Sequence, residues 1–290
     1  MSDIATKSQT QKLLNEYNLT AKKNYGQNFL VDNNIVKNIV KKAGVTKKIN
    51  VIEIGPGIGG LSQELAFYCK KLVCIEIDER FKAILQNNLS DFNNVELIFA
   101  DFLSLDLKKL IHDNFERNEE IIIVANLPYY ITTAILIKIF EEKDDLKITK
   151  ICAMMQKEVG LRLSAQKDTK DYNSLTVLTQ YYCDTKIIMK VSKNVFIPEP
   201  KVDSVVVSFD FKLQNNKPLD EAFFFKLIRI LFKQRRKTIL NNLTVFTKDK
   251  EALSNLLLKI NLSANLRAEN LSLADIIILS DLLVEEGYND

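Results

Sequence analysis

Residues 50–60 read NVIEIGPGIGG and indicate a strand that ends in a glycine-rich turn. The first five residues are mostly aliphatic or β-branched, as expected of a buried strand. The glycines that follow allow the backbone to turn tightly and to approach a ligand closely. The stretch also satisfies the dinucleotide pattern GxGxxG. That pattern alone is a weak signal, because a plain connection from a strand to a helix uses the same residues.

The alternation of strand and helix continues on the C-terminal side of this stretch. Short β-branched runs predict further strands, and segments with helical spacing lie between them. Buried strands that alternate with helices are typical of a parallel sheet covered on both faces, so we predict an α/β fold. The predicted strands are 50–54, 72–77, 95–99, 121–125 and 148–154, and the predicted helices are 60–68, 80–89, 107–113 and 132–142.

The chain changes character after the sheet. Two apolar runs, 186–191 and 202–211, have no helix between them, so we expect an antiparallel hairpin at one edge of the sheet. Beyond residue 220 the pattern predicts helices at 221–232, 235–243, 250–260 and 272–286, with Asp220 and Ser272 as N-caps. We therefore predict a first domain at 1–213, with a helical extension at 1–48, and a small all-helical domain at 214–290.

Composition limits the classes of function. The four cysteines show no CxxC spacing and the only histidine is His112. A disulfide framework, a zinc site and a Ser-His-Asp triad are therefore not expected, and we predict no bound metal. No run reaches the roughly 18 apolar residues of a transmembrane helix, and the N-terminus lacks the apolar segment of a signal peptide. These features predict a cytoplasmic protein without membrane contact.

Two carboxylates follow the glycine turn at the ends of the next two predicted strands. Glu76 could accept hydrogen bonds from both hydroxyls of a ribose, and Asp101 could accept one from an adenine amino group. Either residue could instead be an ordinary acid at a helix N-terminus. Because carboxyl ends of parallel strands meet at one crevice, the pair favours a nucleoside site, for either a nicotinamide cofactor or S-adenosylmethionine.

The fourth predicted strand ends in NLPYY, residues 126–130, which suits an amino-bearing planar substrate. The Asn126 side-chain oxygen and the Leu127 carbonyl could accept from the two N–H bonds of an adenine amine. Pro128 has a fixed φ and would hold that carbonyl in a rigid turn. Tyr129 offers a ring on which a base could stack. A strand end followed by a turn with two tyrosines is the plain alternative. With the glycine turn and the two carboxylates, catalysis by positioning and electrostatics is favoured.

With these motifs together, the sequence resembles the ribosomal RNA adenine N6-dimethyltransferases, in particular the group that modifies the small subunit. The resemblance covers nearly the whole chain, and GQNFL, NLPYY and FxPxPKVDS form a specific combination. It is carried by KKNYGQNFLVD (22–32), EIGPGIGGLS (53–62), Glu76, ADF (100–102), NLPYY (126–130), FIPEPKVDS (196–204) and KQRRKTI (233–239). Asn24-Tyr25 is a departure from the small residue that usually precedes GQNFL.

The resemblance implies a Rossmann-like class I methyltransferase sheet and S-adenosylmethionine as the cofactor. It implies that Asn28 and Leu30 close the cofactor site from the N-terminal side. It also implies that Phe196 faces Tyr129 and sandwiches a flipped base. The implied cofactor residues are Asn28, Leu30, Gly55, Gly57, Glu76, Asp101 and Asn126, and the implied catalytic residues are Asn126, Leu127, Pro128 and Tyr129.

Two basic regions predict contacts with RNA phosphates. One contains Lys22 and Lys23. The other is the run 233–237, which contains Lys233, Arg235, Arg236 and Lys237. On a helix, residues 226, 229, 233 and 237 would share one basic face. Such a face predicts strongly salt-dependent binding, although a solvated helix surface would look the same.

The sequence therefore predicts methylation of two adjacent adenines near the 3′ end of small-subunit ribosomal RNA, on an immature small subunit. The alternatives are a large-subunit adenine methyltransferase, a binding protein without turnover, and a protein glutamine methyltransferase. GQNFL and FxPxPKVDS argue against the first, intact NLPYY and both carboxylates against the second, and the basic helical region against the third.

Overall fold

The computed structural model describes residues 3–22, 26–128, 130–143, 146–212 and 216–288. The strands are β1 (Phe29–Leu30), β2 (Asn50–Ile54), β3 (Leu72–Glu76), β4 (Val95–Phe99), β5 (Ile121–Asn126), β6 (Ile148–Gln156), β7 (Cys183–Val191), β8 (Phe196–Ile197) and β9 (Ser204–Phe211). The helices are α1 (Lys7–Glu16), α2 (Asn33–Ala43), α3 (Gly60–Tyr68), α4 (Lys82–Asn88), α5 (Leu107–Asn114), α6 (Thr132–Glu142), α7 (Lys157–Leu163), α8 (Ser174–Tyr182), α9 (Glu221–Lys233), α10 (Ile239–Leu243), α11 (Lys250–Lys259) and α12 (Leu273–Glu285). Short 3₁₀ helices lie at Glu79–Phe81, Phe102–Ser104, Lys193–Val195 and Ala268–Asn270.

The predicted α/β fold is confirmed. A seven-stranded sheet in the described residues has the order β4-β3-β2-β5-β6-β9-β7. Strands β2 to β6 pair in parallel, and β9 joins β6 in antiparallel fashion. The order reverses direction between β2 and β5, which is where open α/β sheets place a ligand crevice. The antiparallel edge arises because no crossover helix separates β7 from β9, so only a hairpin-like connection is available.

Both faces of the sheet are buried, which explains why its strands read as continuous apolar runs. On one face, Val51, Cys74, Val124 and Met154 pack with residues of α2 and α3 in a single cluster. Their sequence neighbours point to the opposite face and are buried as well, among them Ile52, Val73, Ile123 and Ala153. Strand side chains alternate between faces, so burial of both sets requires covering helices on both sides.

The chain divides into two compact units. The first comprises residues 1–160 and 186–211, and the second comprises 161–185 and 212–290. The chain thus leaves the first unit within α7 and returns within β7. The end of the first unit at 211 lies close to the predicted boundary at 213. Residues 161–185 differ from the prediction, because they group with the helical unit and not with the sheet.

Aromatic packing explains why residues 161–185 belong to the helical unit. Tyr181 of α8 lies with its ring centroid 5.0 Å from that of Phe224 in α9. Tyr172 is 5.9 Å from Phe232 of the same helix. Both tyrosines are almost fully buried. These contacts link sequence-distant segments, so composition along the chain could not reveal them.

The helical unit confirms the predicted N-caps and corrects one helix start. The Asp220 side chain accepts from the Phe223 N–H, and the Ser272 side chain accepts from the Asp275 N–H. Helix α9 ends at Lys233, and α10 begins only at Ile239, after the Thr238 N-cap. Residues 235–237 are therefore a turn, so Lys237 does not continue the basic face of α9 as predicted.

The four cysteines are buried free thiols. No helix within the described ranges is long and apolar enough to cross a membrane.

Candidate cofactor and adenine site

A cavity lies at the carboxyl ends of β2, β3 and β5, beside the point where the strand order reverses. It is lined by the glycine turn, by the end of β3, by the end of β5 and by the segment that contains GQNFL. The lining residues include Asn28, Leu30, Gly55, Gly57, Glu76, Asn126, Leu127 and Pro128. The structure thus brings together the predicted cofactor residues, apart from Asp101, with the described part of NLPYY.

The glycine turn forms one wall of the cavity because its backbone is left-handed at three places. Gly55, Gly57 and Gly59 have φ values of 72°, 59° and 89°. A Cβ atom built on Gly57 would lie 3.2 Å from Cε1 of Phe29, which covers the turn. Only glycine therefore fits both the backbone conformation and the close approach of the ring at position 57.

Glu76 is held at the end of β3 by backbone donors. Its Oε2 accepts from the Gly57 N–H at 2.9 Å and its Oε1 accepts from the Asp78 N–H at 2.9 Å. The residue is 5% exposed, and burial raises the pKa of its carboxyl above the ordinary value. Each carboxylate oxygen has a second lone pair, so the group can still accept from a ligand. Its orientation is therefore fixed before any ligand arrives.

Asp101 is placed differently from Glu76. It is exposed, it is not among the residues that line the cavity, and its Oδ1 accepts from the Leu103 N–H at 2.9 Å. This contact is an N-cap on the 3₁₀ helix Phe102–Ser104. The structure thus gives Asp101 the local capping role that the sequence left open, and its contact with an adenine stays a prediction.

Glu53 is a cavity residue for which the sequence assigned no role. It is 1% exposed at the floor of the cavity, and the Cys74 thiol lies 3.5 Å from its Oε2. Burial raises the pKa of the Glu53 carboxyl to about 7. A glutamate inside an otherwise apolar strand, directly before the glycine turn, was the available signal, because charged residues are rarely buried without a partner.

Asn126 ends β5 and lines the cavity. Its Nδ2 donates to the backbone carbonyl of Asn28 at 3.0 Å, and Asn28 Nδ2 donates to the Gly26 carbonyl at 2.9 Å. With its NH₂ group engaged, the Asn126 amide presents its oxygen as the acceptor for a ligand. A direct hydrogen bond therefore joins NLPYY to GQNFL.

The turn after Asn126 is anchored on both sides. The Leu127 N–H donates to the Met154 carbonyl at 3.0 Å, and its side chain is buried. The Pro128 carbonyl accepts from the Thr132 hydroxyl at 3.0 Å at the start of α6. These contacts hold residues 127 and 128 in one position. Tyr129, predicted as the stacking ring, lies outside the described residues.

A second link joins the GQNFL segment to the end of β3. Gln27 Nε2 donates to Asp78 Oδ2 at 2.8 Å, and Arg80 Nε donates to Asp78 Oδ1 at 2.8 Å. Although partial burial of Asp78 opposes ionisation, hydrogen bonds from Arg80 and Gln27 lower the pKa of its carboxyl to about 2. This contact could not be predicted from local sequence, because Gln27 and Asp78 are separated by 51 residues.

Phe196, implied as a stacking wall opposite Tyr129, is buried, and its contact with a base stays a prediction. It is 3% exposed and belongs to the same buried cluster as Leu30 and Val36. The cause is the short antiparallel pair of β1 and β8, which aligns Phe196 with Leu30. Leu30 itself lines the cavity, whereas the Phe196 ring is buried in the hydrophobic core.

The predicted phosphate-binding residues fall into different environments. Lys22 is exposed, and Lys23 lies outside the described residues. Lys233, Arg236 and Lys237 are exposed in the helical unit. Arg235 Nη2 instead donates to the Lys170 carbonyl at 2.6 Å and pairs with Glu269 at 3.2 Å. Its guanidinium is therefore partly committed to holding its own unit together.

Comparisons with known proteins point to one family. The family model described as "Ribosomal RNA adenine dimethylase" matches residues 18–283. A "Ribosomal RNA small subunit methyltransferase A" from Bacillus cytotoxicus is 44% identical over 98% of both chains. A protein of the same name from Bacillus cereus is 43% identical over 98% of both chains.

Solved structures give the same fold. A dimethyladenosine transferase from Plasmodium falciparum superposes with a TM-score of 0.72 at 24% identity, covering 90% of this chain and 98% of that one. The 23S rRNA methyltransferase ErmE superposes with a TM-score of 0.66 at 25% identity, covering 88% and 99%. The resemblance predicted from the motifs is thereby confirmed, and the chain belongs to the ribosomal RNA adenine dimethylase family.

Proposed function

We propose that this protein transfers methyl groups from S-adenosylmethionine to N6 of two adjacent adenines near the 3′ end of small-subunit ribosomal RNA. The observation that carries the proposal is the placement of the Asn126 amide in the wall of the cavity that also contains Glu76 and the glycine turn. The names of the relatives support an RNA of the small subunit, and we place the reaction in the cytoplasm on an immature subunit.

The cavity fits an S-adenosyl group. The left-handed backbone at Gly55 borders open space, since a Cβ atom built there would have no heavy atom within 4 Å. Glu76 offers an oriented carboxylate to ribose hydroxyls, and the Asn28 and Leu30 segment covers the same space. When bound, the cofactor supplies an electrophilic methyl group on a sulfonium. We also propose that the exposed Asp101 carboxylate accepts a hydrogen bond from the adenine amino group of the cofactor.

The chain's contribution to catalysis is to hold the target amine. The lone pair of an adenine amine is delocalised into the ring, which makes the nitrogen a weak nucleophile. Acceptance of its two N–H bonds by the Asn126 oxygen and the Leu127 carbonyl would favour a pyramidal nitrogen with a localised lone pair. Preorganised acceptors of this kind cost no rearrangement during the reaction.

The second methyl transfer uses the same acceptors. In the first transfer the S–CH₃ bond breaks to leave a thioether, and N6 loses one proton to water. N6 then keeps one hydrogen, so one acceptor contact survives. The site must then admit a methyl group where the other hydrogen was. Tyr129 is proposed as the stacking surface for the base, at a gain of roughly 1–3 kcal/mol per base. This gain offsets part of the few kcal/mol needed to take a base out of its stack.

RNA is held through phosphates as well as through the base. We propose phosphate contacts for Lys22 and Lys23 in the first unit and for Lys233, Arg236 and Lys237 in the second. Arg235 contributes through its positive charge, although its guanidinium also binds Lys170 and Glu269. Structured RNA is recognised mainly by shape and phosphates, which suits exposed lysines and arginines.

The deciding experiment maps methylated nucleotides. Undermethylated small subunits are incubated with the protein and S-adenosylmethionine, and the modified positions are read by mass spectrometry of the RNA. We expect dimethyladenosine at two adjacent positions near the 3′ end. Fully methylated small subunits and large subunits serve as controls. Modification of the large subunit alone, or cofactor binding without methyl transfer to any particle, would contradict the proposal.

A further inference from the structure

The edge of the sheet opposite the cavity carries an exposed group of lysines and aromatic rings. We call it the amino-edge patch and define it as Lys41, Lys42, Lys47, Lys48, Phe67 and Tyr68, all exposed. The lysines lie at the end of α2 and in the loop that enters β2, and the aromatic residues end α3 just before β3. Backbone hydrogen bonds bring these segments together, because the Lys70 N–H donates to the Ile49 carbonyl at 2.8 Å.

The two rings are more exposed than aromatic side chains normally are. Phe67 is 60% exposed and Tyr68 is 44% exposed, and their centroids are 5.0 Å apart in an edge contact. Lys47 Nζ lies 5.9 Å from the Phe67 ring centroid. Burial of these rings elsewhere in the core would be favourable, so their adjacent exposure marks a surface for interaction.

The charge of the patch has one sign. Residues 41–48 contain four lysines and no acidic residue. Lysine groups of this density attract phosphates, and exposed rings beside them can stack on unpaired bases. The combination therefore fits a single-stranded nucleic acid, which presents phosphates to the lysines and unpaired bases to the two rings at the same time.

The helices beside the patch do not offer a lipid-binding face. The apolar residues of α2, among them Val36, Ile39 and Val40, are buried in the core of the first unit. An amphipathic helix that binds a membrane must expose such a face. The exposed apolar surface here consists of the two rings, whose flat faces match nucleobases.

We propose that the amino-edge patch binds an unpaired segment of the ribosomal RNA substrate, with bases against Phe67 and Tyr68 and phosphates against the four lysines. This inference rests on the proposed function, since it concerns the RNA that the enzyme modifies. The strand between patch and cavity has five residues, and a strand of that length spans about 17 Å. The patch therefore cannot touch the target adenine, and its contribution is to substrate binding and not to the methyl-transfer step.

The test compares double variants in steady-state methylation of undermethylated small subunits. Phe67→Ser with Tyr68→Ser removes both rings, and Phe67→Tyr with Tyr68→Phe retains two rings as the matched control. We expect the first variant to raise KM about tenfold or more with unchanged kcat. The ring-retaining variant keeps the wild-type KM. Unchanged affinity for S-adenosylmethionine shows that the variants are folded.

The lysines are tested through salt dependence. Lys47→Gln with Lys48→Gln should reduce the slope of log affinity against log salt by about two. Lys186→Gln with Lys190→Gln removes the same charge from exposed residues of β7 and should change the slope less. Ultraviolet crosslinking of the wild-type protein to the small subunit needs no variant, and we expect the peptide containing Phe67 and Tyr68 to carry RNA.

Several results would overturn the inference while leaving the proposed function intact. A wild-type KM for the ring-removing variant is one, and equal slope changes for both lysine pairs is another. Absence of RNA on the Phe67–Tyr68 peptide, with crosslinks present elsewhere, is a third. A wild-type protein that methylates no ribosomal RNA is a different outcome and would contradict the proposed function itself.

Discussion

The cofactor cavity and the basic run 233–237 show two ways in which one chain presents functional groups. In the cavity, backbone atoms fix the side chains: two N–H groups hold Glu76, and the Asn28 carbonyl holds Asn126. In the run 233–237, the basic side chains are exposed and follow the end of α9. Only Arg235 there is described as tied to the backbone of another segment, at Lys170.

This difference matches what each region has to bind. A small cofactor and a single amine demand fixed positions, because misplacement of the reacting groups lowers the rate directly. A phosphate backbone presents many equivalent charges, so mobile lysines and arginines can find partners without fixed geometry. Substitutions in the cavity should therefore have large and specific effects, whereas those in the basic run should have small effects that depend on salt.

The largest effect is expected for Asn126→Ala. The change removes a preorganised acceptor for the target amine and also the bond to the Asn28 carbonyl. Loss of one such group costs about 10²–10³ in kcat. Single-turnover methylation of undermethylated small subunits measures the loss.

A matched control is available for this substitution. Asn242 is a buried asparagine of the helical unit whose Nδ2 donates to the Leu231 carbonyl at 2.7 Å. Asn242→Ala removes the same type of contact and should lower stability without a comparable loss of kcat in the folded fraction. Near-normal turnover in Asn126→Ala would remove the assigned role.

Glu53 should make stability fall as the pH rises. An unfolded glutamate ionises near 4.5, whereas burial raises the pKa of Glu53 in the folded protein to about 7. Between these values the unfolded state releases the proton and the folded state retains it, so the free energy of unfolding decreases with pH. Above pH 7 the cost of ionising the buried Glu53 carboxyl is fully present, and it lowers the free energy of unfolding by up to about 3 kcal/mol.

Glu53→Gln should remove most of this pH dependence. The substitution keeps the shape but cannot ionise, although it retains only one acceptor oxygen. Urea unfolding at pH 5, 6, 7 and 8 provides the measurement, and Glu96→Gln changes an exposed glutamate of β4 as the control. Parallel stability curves for the wild type and Glu53→Gln would show that the Glu53 carboxyl titrates normally.

A smaller effect is expected for cofactor affinity in Glu76→Gln. The amide loses the negative charge and one of the two acceptors that meet the Gly57 and Asp78 N–H groups. Loss of a charged hydrogen bond corresponds to about 10–100-fold weaker binding. Calorimetric titration with S-adenosylmethionine gives the affinity. Asp101→Asn, at an exposed position, should weaken binding less, and the reverse order would contradict the ranking of the two carboxylates.

The smallest effect is expected in the basic run. Arg236→Gln should reduce the salt slope of RNA binding by about one without a change in unfolding temperature. Arg235→Gln removes the same charge but also the contacts to Lys170 and Glu269. It should therefore lower stability and change the slope less. Filter binding over a salt series measures both slopes. Equal slopes for the two variants would show that the contacts to Lys170 and Glu269 do not prevent Arg235 from binding RNA.

The fold was predictable wherever the hydrophobic periodicity and the turn or cap residues indicated the same element boundaries. Predicted strands 50–54 and 95–99 match β2 and β4, and predicted helices 60–68 and 132–142 match α3 and α6. Prediction failed where a turn interrupts an apparently helical stretch, as at residues 235–237. It also failed for 161–185, because aromatic contacts with α9 and not local sequence decide which unit that segment joins.

Residues that line the cavity were predictable from the sequence, but the contacts between them were not. Gly57, Glu76 and Asn126 could be identified because each occupies a recognisable position at the end of a strand. The bonds between Asn126 and Asn28 and between Gln27 and Asp78 span 98 and 51 residues, and no local pattern encodes them. The burial of Phe196 could not be read from its motif, because the motif gives a position in sequence, whereas burial depends on pairing with Leu30.

The two-segment helical unit has a consequence for biosynthesis. Helix α8 is synthesised before α9. Tyr181 and Tyr182 therefore cannot form their ring contacts with Phe224 and Phe225 until α9 has been translated. Translation at about 5–20 residues per second makes this delay a matter of seconds, during which apolar rings are exposed on the nascent chain. A chain truncated after residue 211 would retain that exposure permanently and should aggregate or recruit chaperones.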